Sequence, residues 1–204
     1  MKTRVKIGAE EKILSAAKAS FLKYGMQGAR MQEIADKAGI NKALLHYYFR
    51  SKEKLFDRIF EEALSEFLPK LQFWEEDKIP FKEKLSLHID NYIEFLSKYP
   101  MIPLFVIKEM SVDPEKFHQR MIAKKKSRGP KLLESVEKEM KAGRIKKMDP
   151  KLFFIHLHSL CAYPFVGEVF FKQVMKIGEK EWNEYRKVKI KDSVKKFMLN
   201  AIKK

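Results

Sequence analysis

Ile13, Ala16, Ala17, Phe21 and Tyr24 recur at intervals of three and four along residues 9–24, with charged or small polar residues between them, and Gly25 closes the run. That period is helical, and a glycine just past the last apolar position is the usual stop. Residues 31–38 repeat the arrangement in miniature: Met31, Ile34, Ala35 and Ala38 fall at i, i+3, i+4 and i+7. Gly39 follows where a helix end calls for a left-handed residue, and Asn41 is a good N-cap for a third short helix. Residues 53–68, 80–98, 101–111, 114–126, 130–142, 150–172 and 180–202 supply the remaining helical patterns, separated by Pro, Gly or Asp-Pro. Asp113-Pro114 and Asp149-Pro150 are start signals, an N-cap aspartate with proline in the first turn. No convincing alternating strand appears. The pattern predicts an all-α chain of about nine helices, the first three small.

The stretch GINKALLHYYFRSKEKLF, residues 39–56, mixes core and surface chemistry on one short helix. With Asn41 as the cap and about 100° per residue, Leu45 and Phe49 share the side continuous with the apolar faces of the two preceding helices. The opposite arc carries Lys42, Ala43, His46 and Tyr47, with Leu44 and Tyr48 at its edges and Lys52 just beyond the helix end. Lysine can meet phosphate or guanine, phenols can donate to phosphate, and a small Ala43 lets the helix approach base edges or a thymine methyl. Two short helices joined by a glycine turn, the second with a polar outer face, form a helix-turn-helix.

Charge sharpens this picture. The 204-residue chain has a formal net charge of +16, a surplus that favours polyanions. Residues 1–60 hold 13 Lys and Arg against 6 Asp and Glu, so this segment is about twice as densely charged as the remainder. Further basic stretches lie at KKKSRGPK, residues 124–131, and from Arg186 to Lys204, where they read as solvated helix faces. The arm Lys2, Arg4 and Lys6 reads as a disordered tail, with insertion into a minor groove as the alternative.

The run ARMQEIADKAGINKALLHYYFRSKEKLF, residues 29–56, resembles the DNA-binding domain of the TetR family of transcriptional regulators, and the likeness extends over about the first 60 residues. The resemblance implies a three-helix helix-turn-helix DNA-binding domain over residues 1–52 and a larger helical ligand-binding and dimerisation domain over residues 53–204. It places base contacts on Lys42, Ala43, Leu44 and Tyr47, and phosphate contacts on His46, Tyr47, Tyr48 and Lys52, with Arg30 and Met31 opening the second helix against the backbone. Arg30 stands where the family often has a capping Ser or Thr. Arginine forfeits the cap, at about 1 kcal/mol, yet can itself bond a phosphate. Ala43 replaces a frequent glycine.

The resemblance also implies that the second domain binds a small-molecule effector and pairs two subunits. Phe60, Phe67, Trp74, His88, Tyr92, Phe95, Phe105, Met110, Phe117 and Met121 are the candidate effector contacts, and as a group they suit an apolar or aromatic ligand. His88 lies one turn before Tyr92, so both can face one polar group. Pairing is expected through residues 150–172, too apolar to be left wet, and 180–202. A homodimer would set two recognition helices about 34 Å apart, matching successive major grooves of a palindromic double-stranded operator. The family role is usually repression. An architectural DNA-binding protein without a ligand is the alternative that the same charge supports.

Other chemistry finds little footing. His156, His158 and Cys161 point in different directions on one helix and cannot converge on a metal, and no cofactor motif appears. No Ser-His-Asp or Cys-His pairing, glycine-rich phosphate loop or apolar carboxylate pair suggests an enzyme or a catalytic residue. Residues 152–171 reach the length of a membrane span, but His156, His158, Pro164, Gly167 and Glu168 interrupt them, so no membrane association is expected. A single cysteine and an N-terminus without an apolar run fit a cytoplasmic location.

Overall fold

A computed structural model describes residues 2–115, 117, 119 and 129–204, with side chains from residue 8 onward. Met121, the arm side chains of Lys2, Arg4 and Lys6, and residues 124–128 of the second basic stretch lie outside what it describes. Among the described residues the chain is all-α, with no strand. The helices are α1 (Lys2–Gly28), α2 (Met31–Ala38), α3 (Lys42–Tyr48), α4 (Lys52–Phe67), α5 (Phe81–Lys98), α6 (Ile102–Val112), α7 (Gly129–Lys141), α8 (Pro150–Val166), α9 (Glu168–Met175), α10 (Glu179–Glu184) and α11 (Ile190–Ala201). A 3-10 segment, Leu68–Glu75, follows α4, and a π segment, Tyr185–Lys189, joins α10 to α11.

The chain divides into two compact units, residues 1–65 and 66–204, so the division falls in the last turn of α4. In the first unit, Gly25 stands at φ 67°, ψ 174° and breaks α1 where the sequence calls for a stop. Ile13, Ala17, Ile34, Ala35, Leu45, Leu55 and Ala63 are fully buried, and Phe21 meets Phe56 edge to face at 5.2 Å. The ion pairs Lys18–Glu62 and Arg58–Glu10 lie at its surface, where such pairs contribute little.

The second unit packs around α5, whose Leu85, Ile89, Ile93 and Leu96 are buried against α8 and α11. Along α8, Phe153, Leu157, Cys161 and Phe165 recur every fourth residue and face inward, while Leu152, Ile155 and Tyr163 stay exposed. Asp149 caps this helix through Lys151 and Leu152, as the Asp-Pro signal predicts.

The pattern over 150–172 predicts one helix, and the structure has two. α8 stops at Val166 and α9 departs at 72° after Gly167. A Cβ at position 167 would lie 2.9 Å from the Phe171 ring, which would have to shift to admit it. Among the described residues no single helix is long and apolar enough to cross a membrane; only this bent pair has the combined length.

Candidate functional site

The turn between α2 and α3 is built from backbone hydrogen bonds. Gly39 sits at φ 67°, ψ 34°, its N–H donating to the Asp36 carbonyl, while the Ile40 N–H donates to the Ala35 carbonyl, both at 3.1 Å. These two bonds are the Schellman arrangement, which satisfies the last carbonyls of α2 and redirects the chain. Asn41 then caps α3, its Oδ1 accepting from the Leu44 N–H at 2.7 Å. Removing that acceptor in Asn41→Ala is expected to destabilise the fold by about 1 kcal/mol, readable as a lowered denaturant midpoint with an unchanged m-value.

With both ends set, α3 presents one face to its unit and the other to solvent. Leu45 is fully buried and Phe49 nearly so. Lys42, Ala43, Leu44, His46 and Tyr47 are all exposed, Tyr47 by 68%. Tyr48 is half-buried, its ring edge to face with Tyr47 at 5.7 Å and tilted on Phe49 at 6.4 Å. Arg30 occupies the N-cap of α2 without a capping bond and is exposed, and Met31 beside it is half-buried.

Lys52 has a task that sequence reading did not find. Its Nζ lies 3.2 Å from the carbonyls of both Gln27 and Ala29, so the ammonium binds the start of α4 to the end of α1. Those carbonyls stand more than twenty residues away in sequence, and no local pattern announces the pairing.

Of the candidate effector contacts, Phe67, Trp74, His88, Tyr92 and Phe95 come together inside the second unit. Phe67 stacks on Phe95 at 4.4 Å and on Tyr92 at 5.6 Å. His88 lies 6.0 Å from Tyr92, and the Trp74 Nε1–H donates to His88 Nδ1 at 3.1 Å. Two residues join that were not chosen for this role: His158, 5.3 Å from His88 and 5.4 Å from Tyr92, and Phe154, 4.0 Å from His158. Their four-residue spacing on α8 was the available signal.

The others lie apart. Phe60 is in the core of the first unit, Phe105 is buried on α6, Met110 is 51% exposed, and Phe117 is half-buried.

Hydrogen bonding assigns the tautomers in the cluster. His158 Nδ1–H donates to the Phe154 carbonyl at 2.9 Å, leaving its Nε2 an acceptor. His88 accepts at Nδ1, so its proton rides on Nε2, which is buried with no hydrogen-bond partner. Burial pushes His88 down to about 3, the nearby His158 adding to the effect, and lowers His158 as well. Burial likewise raises the Tyr92 phenol and pushes the Cys161 thiol up to about 12. The cluster is therefore uncharged at neutral pH, with one unused donor and one acceptor between aromatic faces. Among the described residues no group of three His, Cys, Asp or Glu is placed to hold a metal ion.

An exposed recognition-type helix, capped and joined by a glycine turn to an amphipathic partner helix, defines a helix-turn-helix protein of the DNA-binding class. Residues 13–59 match the model for bacterial regulatory proteins of the tetR family, and the chain belongs to the TetR family of transcriptional regulators. It is 29% identical over 147 residues to the HTH-type transcriptional regulator YhgD of Bacillus subtilis (strain 168), covering 72% of this chain and 76% of that one. It is 34% identical over 105 residues to the HTH-type transcriptional regulator RutR of Escherichia coli (strain K12), covering 51% and 49% respectively.

Among solved structures, an HlyIIR mutant protein superposes with a TM-score of 0.68 at 20% identity, covering 96% of each chain. The transcriptional regulator FadR from Bacillus subtilis in complex with stearoyl-CoA gives 0.66, also at 20% identity, over 94% of this chain and 98% of that one. These likenesses establish the shared fold along nearly the whole chain.

Proposed function

We propose that this regulator is a homodimeric repressor that binds a palindromic double-stranded operator and is released by a small apolar or aromatic effector. The observation that carries the reading is the outer face of α3, where Lys42, Ala43, Leu44, His46 and Tyr47 stand exposed together above buried Leu45. Residues 1–52 form the DNA-binding domain and residues 53–204 the effector-binding and pairing domain. Lys42, Ala43, Leu44 and Tyr47 read bases. Arg30, Met31, His46, Tyr47 and Tyr48 meet the backbone, and Lys52 does so by sharing an ammonium already bonded to two carbonyls.

The effector lies against Phe67, Trp74, His88, Tyr92 and Phe95, with Phe105, Met110, Phe117 and Met121 drawn in as the ligand seats. The unpartnered His88 Nε2–H supplies its polar contact. The Bacillus subtilis regulator FadR, which shares this fold, is in complex with stearoyl-CoA, and that supports an apolar ligand class for this chain. Exposed Leu152, Ile155, Tyr163, Phe170, Val188 and Phe197, all within or beside residues 150–172 and 180–202, supply the apolar face for a second copy. Buried, inert Cys161 accords with work in a reducing cytoplasm.

Release works through differential affinity: an effector that prefers the conformer with displaced recognition helices weakens DNA binding by a coupling of about 1–3 kcal/mol. Selection of bound duplexes from a random pool tests the reading, with metabolite extracts added to elute them. A palindromic consensus displaced by an extract fraction is the expected result. Affinity that follows salt concentration without any consensus would replace it with the architectural alternative that the +16 charge also supports.

A further inference from the structure

An open cavity of about 1040 Å³ lies between the 3-10 segment, the first turn of α5 and one side of α7 from Lys131 to Glu139. None of the proposed effector contacts except Trp74 borders it. Six cationic residues line it, and three of them are matched by carboxylates: Lys131 pairs with Glu134 at 2.9 Å, Lys138 with Asp77 at 3.2 Å, and Arg144 binds Glu139 through two bonds of 2.7 Å. Glu75 is the remaining acid, and it stands near Lys131. Lys78, Lys82 and Lys84 are left without an ion pair among the described residues.

Lys84 is the unusual member. It is only 7% exposed although it lines the cavity, and its sole hydrogen bond is a long one, 3.4 Å to the Trp74 carbonyl. An ammonium has three N–H donors, and a buried one with two of them unmatched is costly to keep. Glu139 feels the Lys84 charge, but both its oxygens are already hydrogen-bonded to Arg144, and neither bonds Lys84 among the described residues. Trp74 and Phe81, 6.1 Å apart, form the apolar floor beside this ammonium, and the exposed Lys78 and Lys82 stand at the mouth.

We infer that this cavity is a binding site for a small phosphate-bearing molecule, whose oxygens complete the hydrogen bonding of Lys84 while Lys78 and Lys82 screen the charge at the rim and Trp74 and Phe81 carry a flat apolar body. The depth of Lys84 excludes the backbone phosphates of a duplex, which stay outside a concave site of this kind. The site is separate from the histidine–aromatic cluster, but Trp74 links them: its carbonyl serves Lys84 and its indole N–H serves His88. A bound phosphate would therefore be felt at the effector contacts through one residue.

Calorimetric titration of the full chain at fixed ionic strength tests this, using inorganic phosphate, phenyl phosphate and phosphatidic acid vesicles as probes. Saturable binding of phosphate is expected, tighter for phenyl phosphate. Lys84→Met removes the charge with little change of volume, and because Lys84 has no ion pair among the described residues the change lifts a desolvation cost without stranding a buried partner. It should weaken phenyl phosphate binding at least roughly tenfold. The surface variant Lys78→Gln/Lys82→Gln, which has no reason to unfold, should weaken it about two- to threefold. Unchanged affinity in Lys84→Met, no saturable heat in the parent protein, or heat with vesicles alone would each overturn the assignment, the last in favour of a membrane surface. None of these readouts involves DNA, so failure of the operator reading would leave this test intact.

Discussion

Lys42→Ala and Tyr47→Ala are each expected to lower operator affinity by about 5- to 150-fold, the range that corresponds to about 1–3 kcal/mol for one specific side-chain contact to a base edge. The two should differ in kind. Lys42 opens α3 beside Ala43, where a bidentate approach to guanine is geometrically open, so its loss should relax base preference at one position of each half-site. Tyr47 is the most exposed aromatic of the first unit at 68%, and its phenol can serve base or phosphate, so its loss should also weaken binding to variant sequences. Neither change should unfold the protein, since both side chains are exposed, and Tyr47→Ala gives up only surface contacts such as its edge-to-face packing on Tyr48. Leu45→Ala, three positions along the same helix but fully buried, is the contrast: it should cost about 2–5 kcal/mol of stability and lose DNA binding through unfolding. Quantitative binding to the selected operator and to single-base variants, alongside thermal melts, separates these outcomes. Unchanged operator selectivity in both surface variants would remove α3 as the reading helix.

What could be read from the sequence, and what could not, follows from the range of the interactions. The end of α2, the left-handed Gly39 and the Asn41 cap were legible because each is decided within about five residues by backbone sterics and one side-chain acceptor. The inward pair Leu45 and Phe49 was legible because helical period alone assigns it. Lys52 was not, since its bonds to Gln27 and Ala29 exist only once α1 and α4 have packed. The break at Gly167 was half visible. Pro164 and Gly167 were recognised as interruptions of an apolar run, but the close approach of the Phe171 ring to Gly167 exists only once the chain has turned the corner.

The interior cluster shows the same limit. Composition selected ten apolar or imidazole residues without saying which would meet. His88, Tyr92 and Phe95 share α5 and were legible as neighbours, whereas the approach of His158 is a product of α5 packing on α8. Phe60 carries the same chemistry and lies in the other unit, so residue type alone could not sort it.

That packing has a measurable consequence in acid. His88 is neutral in the fold, held at about 3 against its ordinary 6.5, because a charge there would be stripped of water and set beside His158. Protonation at Nδ1 would also cost the Trp74 N–H its acceptor. The unfolded chain takes up a proton near pH 6.5 and the native one does not, so the stability present above 6.5 is lost progressively as pH falls toward 3. Between pH 7 and pH 5 this single group should remove roughly 2 kcal/mol from the unfolding free energy. His88→Gln keeps an oxygen to accept from Trp74 but has nothing to titrate, so its unfolding free energy should fall less over the same interval, by about that amount. Glu66 and Glu139, held below the usual carboxylate range by Lys98 and Arg144, lose their stabilisation at lower pH in both proteins and cancel in the comparison. Urea titrations of the two proteins at pH 7 and pH 5 read the difference directly. Equal losses in both would mean that His88 accepts a proton in the folded state, and that water or a charge partner reaches the cluster which the packing of Trp74, Tyr92 and His158 otherwise keeps dry.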